Sequence, residues 1–221
     1  MLARLFIVYA FVLFSTQVYS HSGRTNSEGC HNNRKTGGYH CHNSKPAFAS
    51  LEKPAQDLPD ASLTYRRKDY PHWIDKDKDC QNERQEALIR RSKVNVKFKR
   101  NKGCTVTQGE WFDFYSGKTF YRASDLDVDH LVPLMWAHNH GAYRWSREQK
   151  RVFANDHENL VLVWDKLNKE KGAAGPIAWL PPRVAFRCEY VKRFDGVVKK
   201  YGLEYGDKER REVERVLGEC G

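Results

Sequence analysis

Beyond residue 20 the sequence has no apolar run long enough to cross a bilayer, which excludes a polytopic membrane protein. It has no internal repeat, which excludes solenoids and propellers. It also has no base-reading module, so nothing points to sequence-specific recognition of nucleic acid. An acidic excess is missing too: 38 Lys and Arg stand against 28 Asp and Glu, a net charge of +10. A chain this basic suits a polyanion, whether nucleic acid or an acidic cell surface.

The one apolar run lies at the start, from Leu5 to Phe14, with Arg4 before it and the small residue Ser20 after it. This pattern reads as a secretory signal peptide over residues 1–20, cleaved near Ser20 and His21. An uncleaved anchor is the weaker reading, because polar residues begin at once and no stop-transfer flank follows. Cleavage removes only Arg4 from the charge, so +10 becomes +9 in the mature chain. That chain is expected to be exported, either secreted or periplasmic, with no membrane span. All six cysteines lie within it, and an even count in an oxidising compartment favours disulfides. Pairing neighbours in order gives Cys30–Cys41, Cys80–Cys104 and Cys188–Cys220, although sequence alone does not fix connectivity.

Residues 21–45 form a polar module around GCHNNRKTGGYHCH that is too small to bury a core, and residues 46–64 read as a linker. From residue 65 to 221 the composition is that of a folded domain. QNERQEALIRRS has helical periodicity and VNVKFKR alternates as a strand. TVTQGEWFDFYSGKTFY places two apolar runs around Ser116-Gly117, a hairpin signal. LDVDHLVPL reads as a strand broken by Pro133, WSREQKRVFAND as a helix and NLVLVW as a strand; DKLNKEKGAAGPIAWL reads as a helix with a glycine stop. Two basic helices follow Pro181-Pro182. The fold class expected is α+β.

The stretch DVDHLVPLMWAHNHG holds three histidines, two of them in the literal letters H-N-H at His138, Asn139 and His140. Adjacent letters carry no chemistry by themselves. Asn139-His140-Gly141 looks like a turn, so His138 and His140 are expected in a solvated loop. His130 differs, because it follows Asp129 at the end of an apolar strand and a second strand and a helix come after it. Alone, Asp129-His130 would be no more than a hydrogen-bonded pair at a strand end.

The pieces CQNERQEAL, GEWFDFYSG, DLDVDHLVPL, ANDHENLVLV and NKEKG occur in this order. They resemble the exported HNH (His-Me finger, ββα-metal) endonucleases and are similar to the HNH domain of RNA-guided CRISPR effectors. The resemblance implies a ββα-metal core with an added β-hairpin and C-terminal helices. It implies that His130 is the general base for an attacking water, a role suited to an imidazole. It implies that Asp129 and Asn168 hold one divalent metal ion, and that Asn159 ties the intervening loop and so holds His130 in place. Oxygen ligands, with Asn rather than His as the third letter, suit Mg²⁺, with Mn²⁺ as the other choice, better than Zn²⁺. Lys171, three residues after Asn168, is expected to neutralise a phosphate. Arg84, in the first piece beside Glu86, reads as half of an ion pair or as an arginine supporting a nucleic-acid site.

Two further clusters carry ligand-type side chains. Cys30, His31, His40, Cys41 and His42 offer a Zn²⁺ site, but a Cys30–Cys41 disulfide is preferred in an oxidising compartment. Asp75, Asp77, Asp79 and Glu86 follow a calcium-loop spacing, but Cys80 stands where the sharp turn needs Gly, so a solvated acidic turn is expected. The function read from the sequence is therefore an exported, metal-dependent endonuclease on DNA, or RNA, with little sequence preference. The alternative is an exported protein that keeps the fold and only binds nucleic acid or metal.

Overall fold

The structure, a computed structural model, describes residues 64–100 and 103–220, together with the backbone of 30–32 and 39–41. The chain divides into two units, residues 1–46 and 47–221. In the first, strands β1 (Cys30–Asn32) and β2 (Tyr39–Cys41) pair antiparallel with Cys30 opposite Cys41 and His31 opposite His40. The choice between disulfide and zinc there rests on side chains outside the described residues. The expected signal peptide and most of the expected linker also lie outside the described residues.

The second unit has the α+β class expected. Helix α1 (Glu83–Arg91) starts where the Asn82 side chain accepts a hydrogen bond from the Gln85 N–H. Strands β3 (Lys97–Phe98), β4 (Val106–Phe112) and β5 (Thr119–Arg122) form an antiparallel sheet, with β4 and β5 joined across Gly117. Of the strand expected over VNVKFKR, only the two residues Lys97 and Phe98 pair. A separate ribbon follows, β6 (Leu126–His130) antiparallel to β7 (Leu160–Trp164). Between them lie α2 (Leu134–Asn139) and α3 (Arg147–Ala154), the latter begun by a capping box of Ser146 and Gln149. The literal H-N-H letters belong to α2 and its end rather than to a loop.

Helix α4 (Asp165–Lys171) leaves β7 directly and stops at Gly172, whose φ of +53° suits glycine and whose N–H bonds the Asn168 carbonyl. The glycine stop expected in this stretch thus falls at Gly172. Helices α5 (Arg187–Lys200) and α6 (Asp207–Glu219) close the chain, stapled by a disulfide from Cys188 to Cys220. A second disulfide joins Cys80 to Cys104. Among the described residues no helix is long and apolar enough to cross a membrane.

The β6–β7 ribbon lies between two cores. Leu126, Val128, Leu160 and Leu162 pack with Ala87, Leu88, Val106 and Trp111. Val161 and Val163, from the other side of β7, pack with Leu131, Phe153, Tyr190 and Phe194. Strand alternation therefore turns Asp127 and Asp129 toward the helical core. A carboxylate sent into such surroundings is costly unless it is paired. The candidate site is built around that cost.

Candidate active site

Asp129 is 5% exposed. Its Oδ2 accepts from the Tyr115 hydroxyl at 2.8 Å, and the Lys171 ammonium lies 3.0 Å from Oδ1 and 2.8 Å from Oδ2. Lys171 spends a third hydrogen bond on the His130 backbone carbonyl at 2.9 Å. Burial pushes the Asp129 carboxyl up and the Lys171 ammonium down, while each partner draws the other back toward its charged form. Asp127, two residues away on the same side of β6, adds like-charge repulsion to Asp129. The Asn168 amide, projecting from α4, donates to Asp127 Oδ2 at 3.2 Å.

His130 is also buried, at 6% exposure. Its Nε2 lies 2.8 Å from the Ala154 carbonyl oxygen, which can only accept, so Nε2 carries the proton and Nδ1 keeps a lone pair. Burial lowers this imidazole to about 3, against the opposing effect of the Ala154 hydrogen bond, and the nearby charge of Arg67 lowers it further. The ring is therefore neutral at neutral pH. Trp73 lies against it, ring centroids 5.8 Å apart, from a backbone at φ +58° that bulky residues seldom adopt.

The chain just beyond His130 is clamped by Asn159, which is fully buried. The Asn159 side chain accepts from the Val132 N–H at 2.8 Å and donates to the Val132 carbonyl at 3.3 Å, while its own carbonyl accepts from the Leu131 N–H at 2.8 Å. Arg84 reaches from α1 to the carbonyls of Ala123 and Leu126 at 3.3 and 3.0 Å and so holds the start of β6. Its partners are backbone oxygens, so it acts as a tether within the fold. Lys171 likewise has a carboxylate for a partner here and is 2% exposed. In this structure it does not face solvent where a phosphate would arrive.

Asp129, His130 and Asn168 share the wall of a cavity of about 340 Å³ with Tyr65, Arg67 and Met135. Sequence reasoning passed over three residues that matter here. Arg67 puts a guanidinium in the cavity wall and has no carboxylate partner among the described residues. Tyr115, the tyrosine of GEWFDFYSG, reaches Asp129. Asp127 stands opposite Asn168. The D-x-D alternation of DVDH was the available signal for Asp127; Arg67 gave none.

A carboxylate offers about four lone-pair sites. Lys171 and Tyr115 take three of those on Asp129, which leaves one. Asp127 Oδ1 and the Asn168 amide oxygen have no hydrogen-bond donor among the described residues. Two carboxylates and an amide oxygen beside a neutral imidazole are a donor set that fits a hard divalent cation. Elsewhere, Asp75, Asp77 and Asp79 bring carboxylate oxygens within 4.8 Å of one another. Asp75 and Asp79 accept backbone N–H groups of Cys80 and Gln81, so they build the turn before α1.

The literal histidines are structural, which corrects the solvated loop expected for them. His138 is 2% exposed, with Nδ1 3.1 Å from the Tyr70 hydroxyl. His140 stacks on Trp136 at 3.6 Å and bonds the Trp136 carbonyl and the Glu209 carboxylate, tying α2 to α6.

A secreted protein of Arthroderma benhamiae is 37% identical over 158 residues, covering 71% of this chain and 76% of its own length. No solved structure matches. Residues 74–213 match the C-terminal domain of the GmrSD restriction endonucleases, a span that contains every residue of the site described above except Tyr65, Arg67 and Trp73. The chain belongs to the family of the GmrSD restriction endonuclease C-terminal domain.

Proposed function

We propose that this protein is an exported, metal-dependent HNH endonuclease that hydrolyses phosphodiester bonds in DNA or RNA. One observation carries the reading: His130, whose Nε2 is held by the Ala154 carbonyl and whose Nδ1 has no hydrogen-bond partner among the described residues, lines a cavity together with Asp129 and Asn168. The HNH assignment, with its likeness to the nuclease domain of CRISPR effectors, belongs to this proposal and rests on the motif residues. Export is supported by the N-terminal apolar run, by the two disulfides and by the description of the fungal relative as secreted. On this reading residues 1–20 are a signal peptide and residues 65–221 the nuclease domain.

In the proposed reaction a water hydrogen-bonded to His130 Nδ1 gives up a proton to it and attacks phosphorus. The scissile P–O bond breaks, and the leaving oxygen takes a proton from solvent. A buried imidazole is a weak base on its own, but a phosphodiester anion beside it stabilises the imidazolium and raises its affinity for the proton. The Ala154 carbonyl fixes the tautomer and Asn159 fixes the backbone, so the base is aimed before substrate arrives. Asp129, Asn168 and Asp127 would hold the ion, Mg²⁺ or Mn²⁺, which when bound neutralises phosphate charge and eases departure of the leaving oxygen. Lys171 keeps Asp129 charged and in place. Arg67, rather than Lys171 or Arg84, is the cation placed to meet a phosphate oxygen.

The test is nicking of supercoiled plasmid by the mature chain with Mg²⁺, with EDTA and with His130→Ala. EDTA should stop cleavage, and His130→Ala should cost on the order of 10²–10⁴ in rate while the protein remains folded. Full activity in His130→Ala would remove the base from the proposal.

A further inference from the structure

We propose that Trp164 is a stacking platform for an unpaired base, so that the protein grips single-stranded nucleic acid beside its cleavage site. The inference rests on the nuclease reading and names its substrate class. Trp164 ends β7 half-buried, with Phe120 packed against it at 5.8 Å between centroids. Two ammonium groups lie over its ring: Lys118, from the β4–β5 turn, at 4.9 Å and Lys166, from the first turn of α4, at 5.5 Å. Both lysines are exposed, and neither has a carboxylate partner among the described residues. Lys169, by contrast, pairs with Asp165 at 2.6 Å. Two like charges have thus been brought from separate elements onto one aromatic ring, neither of them paired with a carboxylate among the described residues.

A ring flanked by unpaired cations matches what single-strand binding asks for. A base stacks on the ring through its π-face, and the cations take the phosphates on either side. Stacking of this kind is sequence-tolerant, which suits a chain with no base-reading module. In a duplex each base face is already covered by its neighbours, so only an unpaired or splayed base can use the platform. The spacing to the site is also suitable. Trp164 pairs with Leu126 in the ladder and Val161 pairs with Asp129, three rungs along the ribbon. At about 3.3 Å per residue that is roughly 10 Å, close to three stacked nucleotides at about 3.4 Å each. Phe112 on β4 also has two cations over its ring, Lys93 at 5.4 Å and Arg183 at 5.1 Å, but there Lys93 is paired with Glu110 at 4.0 Å.

The experiment measures binding separately from chemistry. His130→Ala protein is titrated, by fluorescence anisotropy, into a labelled 12-nucleotide single strand and into the matching duplex at several salt concentrations. Tighter binding to the single strand is expected. Adding Trp164→Leu should weaken the single strand roughly 5- to 100-fold and leave the duplex nearly unchanged, while Trp164→Phe, which keeps a ring, should recover most of the loss. Adding Lys118→Gln with Lys166→Gln, both at exposed positions, should lower the salt slope for the single strand by about 1.4. Equal losses for both strand forms in Trp164→Leu, or wild-type affinity in both the leucine and the double-glutamine variants, would overturn the platform and leave the nuclease reading standing. Should the His130→Ala protein bind neither form at low salt, the nuclease reading falls with it.

Discussion

Replacing Lys171 by methionine tests how the site is held together. The change keeps most of the side-chain volume and removes the ammonium that now touches both oxygens of Asp129 and the His130 carbonyl. The Lys171 side chain has no exposure and that of Asp129 has 6%, so solvent cannot replace what is lost. Removing one partner of a buried pair costs about 3–5 kcal/mol, since the other charge is left uncompensated; here the nearby Asp127 makes the remaining charge harder to bear. For a domain of roughly 150 residues each kcal/mol lowers Tm by about 2–4 °C, so a fall of about 6–20 °C is expected in EDTA. Asp129→Asn added to Lys171→Met removes the stranded charge and should recover most of that fall. Divalent cation should stabilise Lys171→Met by about 2.7 kcal/mol at a hundredfold excess over its Kd, and the wild type by less at the same concentration, because in the variant the ion meets no ammonium on Asp129. Melting curves of the three proteins with EDTA and with Mg²⁺ decide the matter. A single variant melting within 1–2 °C of wild type in EDTA, or a double variant no better than the single one, would refute the account.

Arg67→Ala should lower cleavage by roughly 10²–10³, the loss typical of one transition-state donor, with Arg67→Lys intermediate; a rate within twofold of wild type would leave the phosphate without this partner. His157 gives a pH dependence of stability. Its Nδ1 faces the Arg90 guanidinium at 3.0 Å, and burial first, then the Arg90 charge, holds the imidazole down to about 4. The folded chain therefore refuses a proton that the unfolded chain accepts below about 6.5, so stability should decline as pH falls from there toward 4 and be flat above it. Denaturant midpoints for wild type and His157→Gln across that window test this, and parallel pH profiles would remove His157 as the cause.

The motif pieces were readable because each residue in them has a local or strand-level task. Asn82 caps α1, Trp111 donates its indole N–H to the Leu88 carbonyl at 2.8 Å, and Gly172 ends α4. The strand LDVDH and the strand LVLVW were visible as apolar runs, and their pairing follows from the helix and turn between them. What stayed hidden depends on burial and on contacts far apart in sequence. Nothing in NKEKG says that its second lysine turns inward to a carboxylate 42 residues earlier. Nothing in TYRRKDY singles out Arg67, because the cavity it lines is assembled from β6, α2 and α4. The end of α4, by contrast, was legible as a glycine stop, because Gly172 supplies locally the positive φ that ends the helix.

Hydrogen-bond bookkeeping separates the three histidines of DVDHLVPLMWAHNHG where spelling does not. His140 spends both ring nitrogens, one on the Trp136 carbonyl at 2.6 Å and one on Glu209 at 2.7 Å. His138 is enclosed by Tyr65, Tyr70 and Tyr143 and bonded to the Tyr70 hydroxyl. Either one would have to break a structural contact before it could take a proton from water. His130 has one nitrogen anchored to the Ala154 carbonyl and the other without a hydrogen-bond partner among the described residues. It also stands beside the carboxylates and the amide able to hold a cation. A general base needs that combination of a fixed ring and a free lone pair, and of the three only His130 has it.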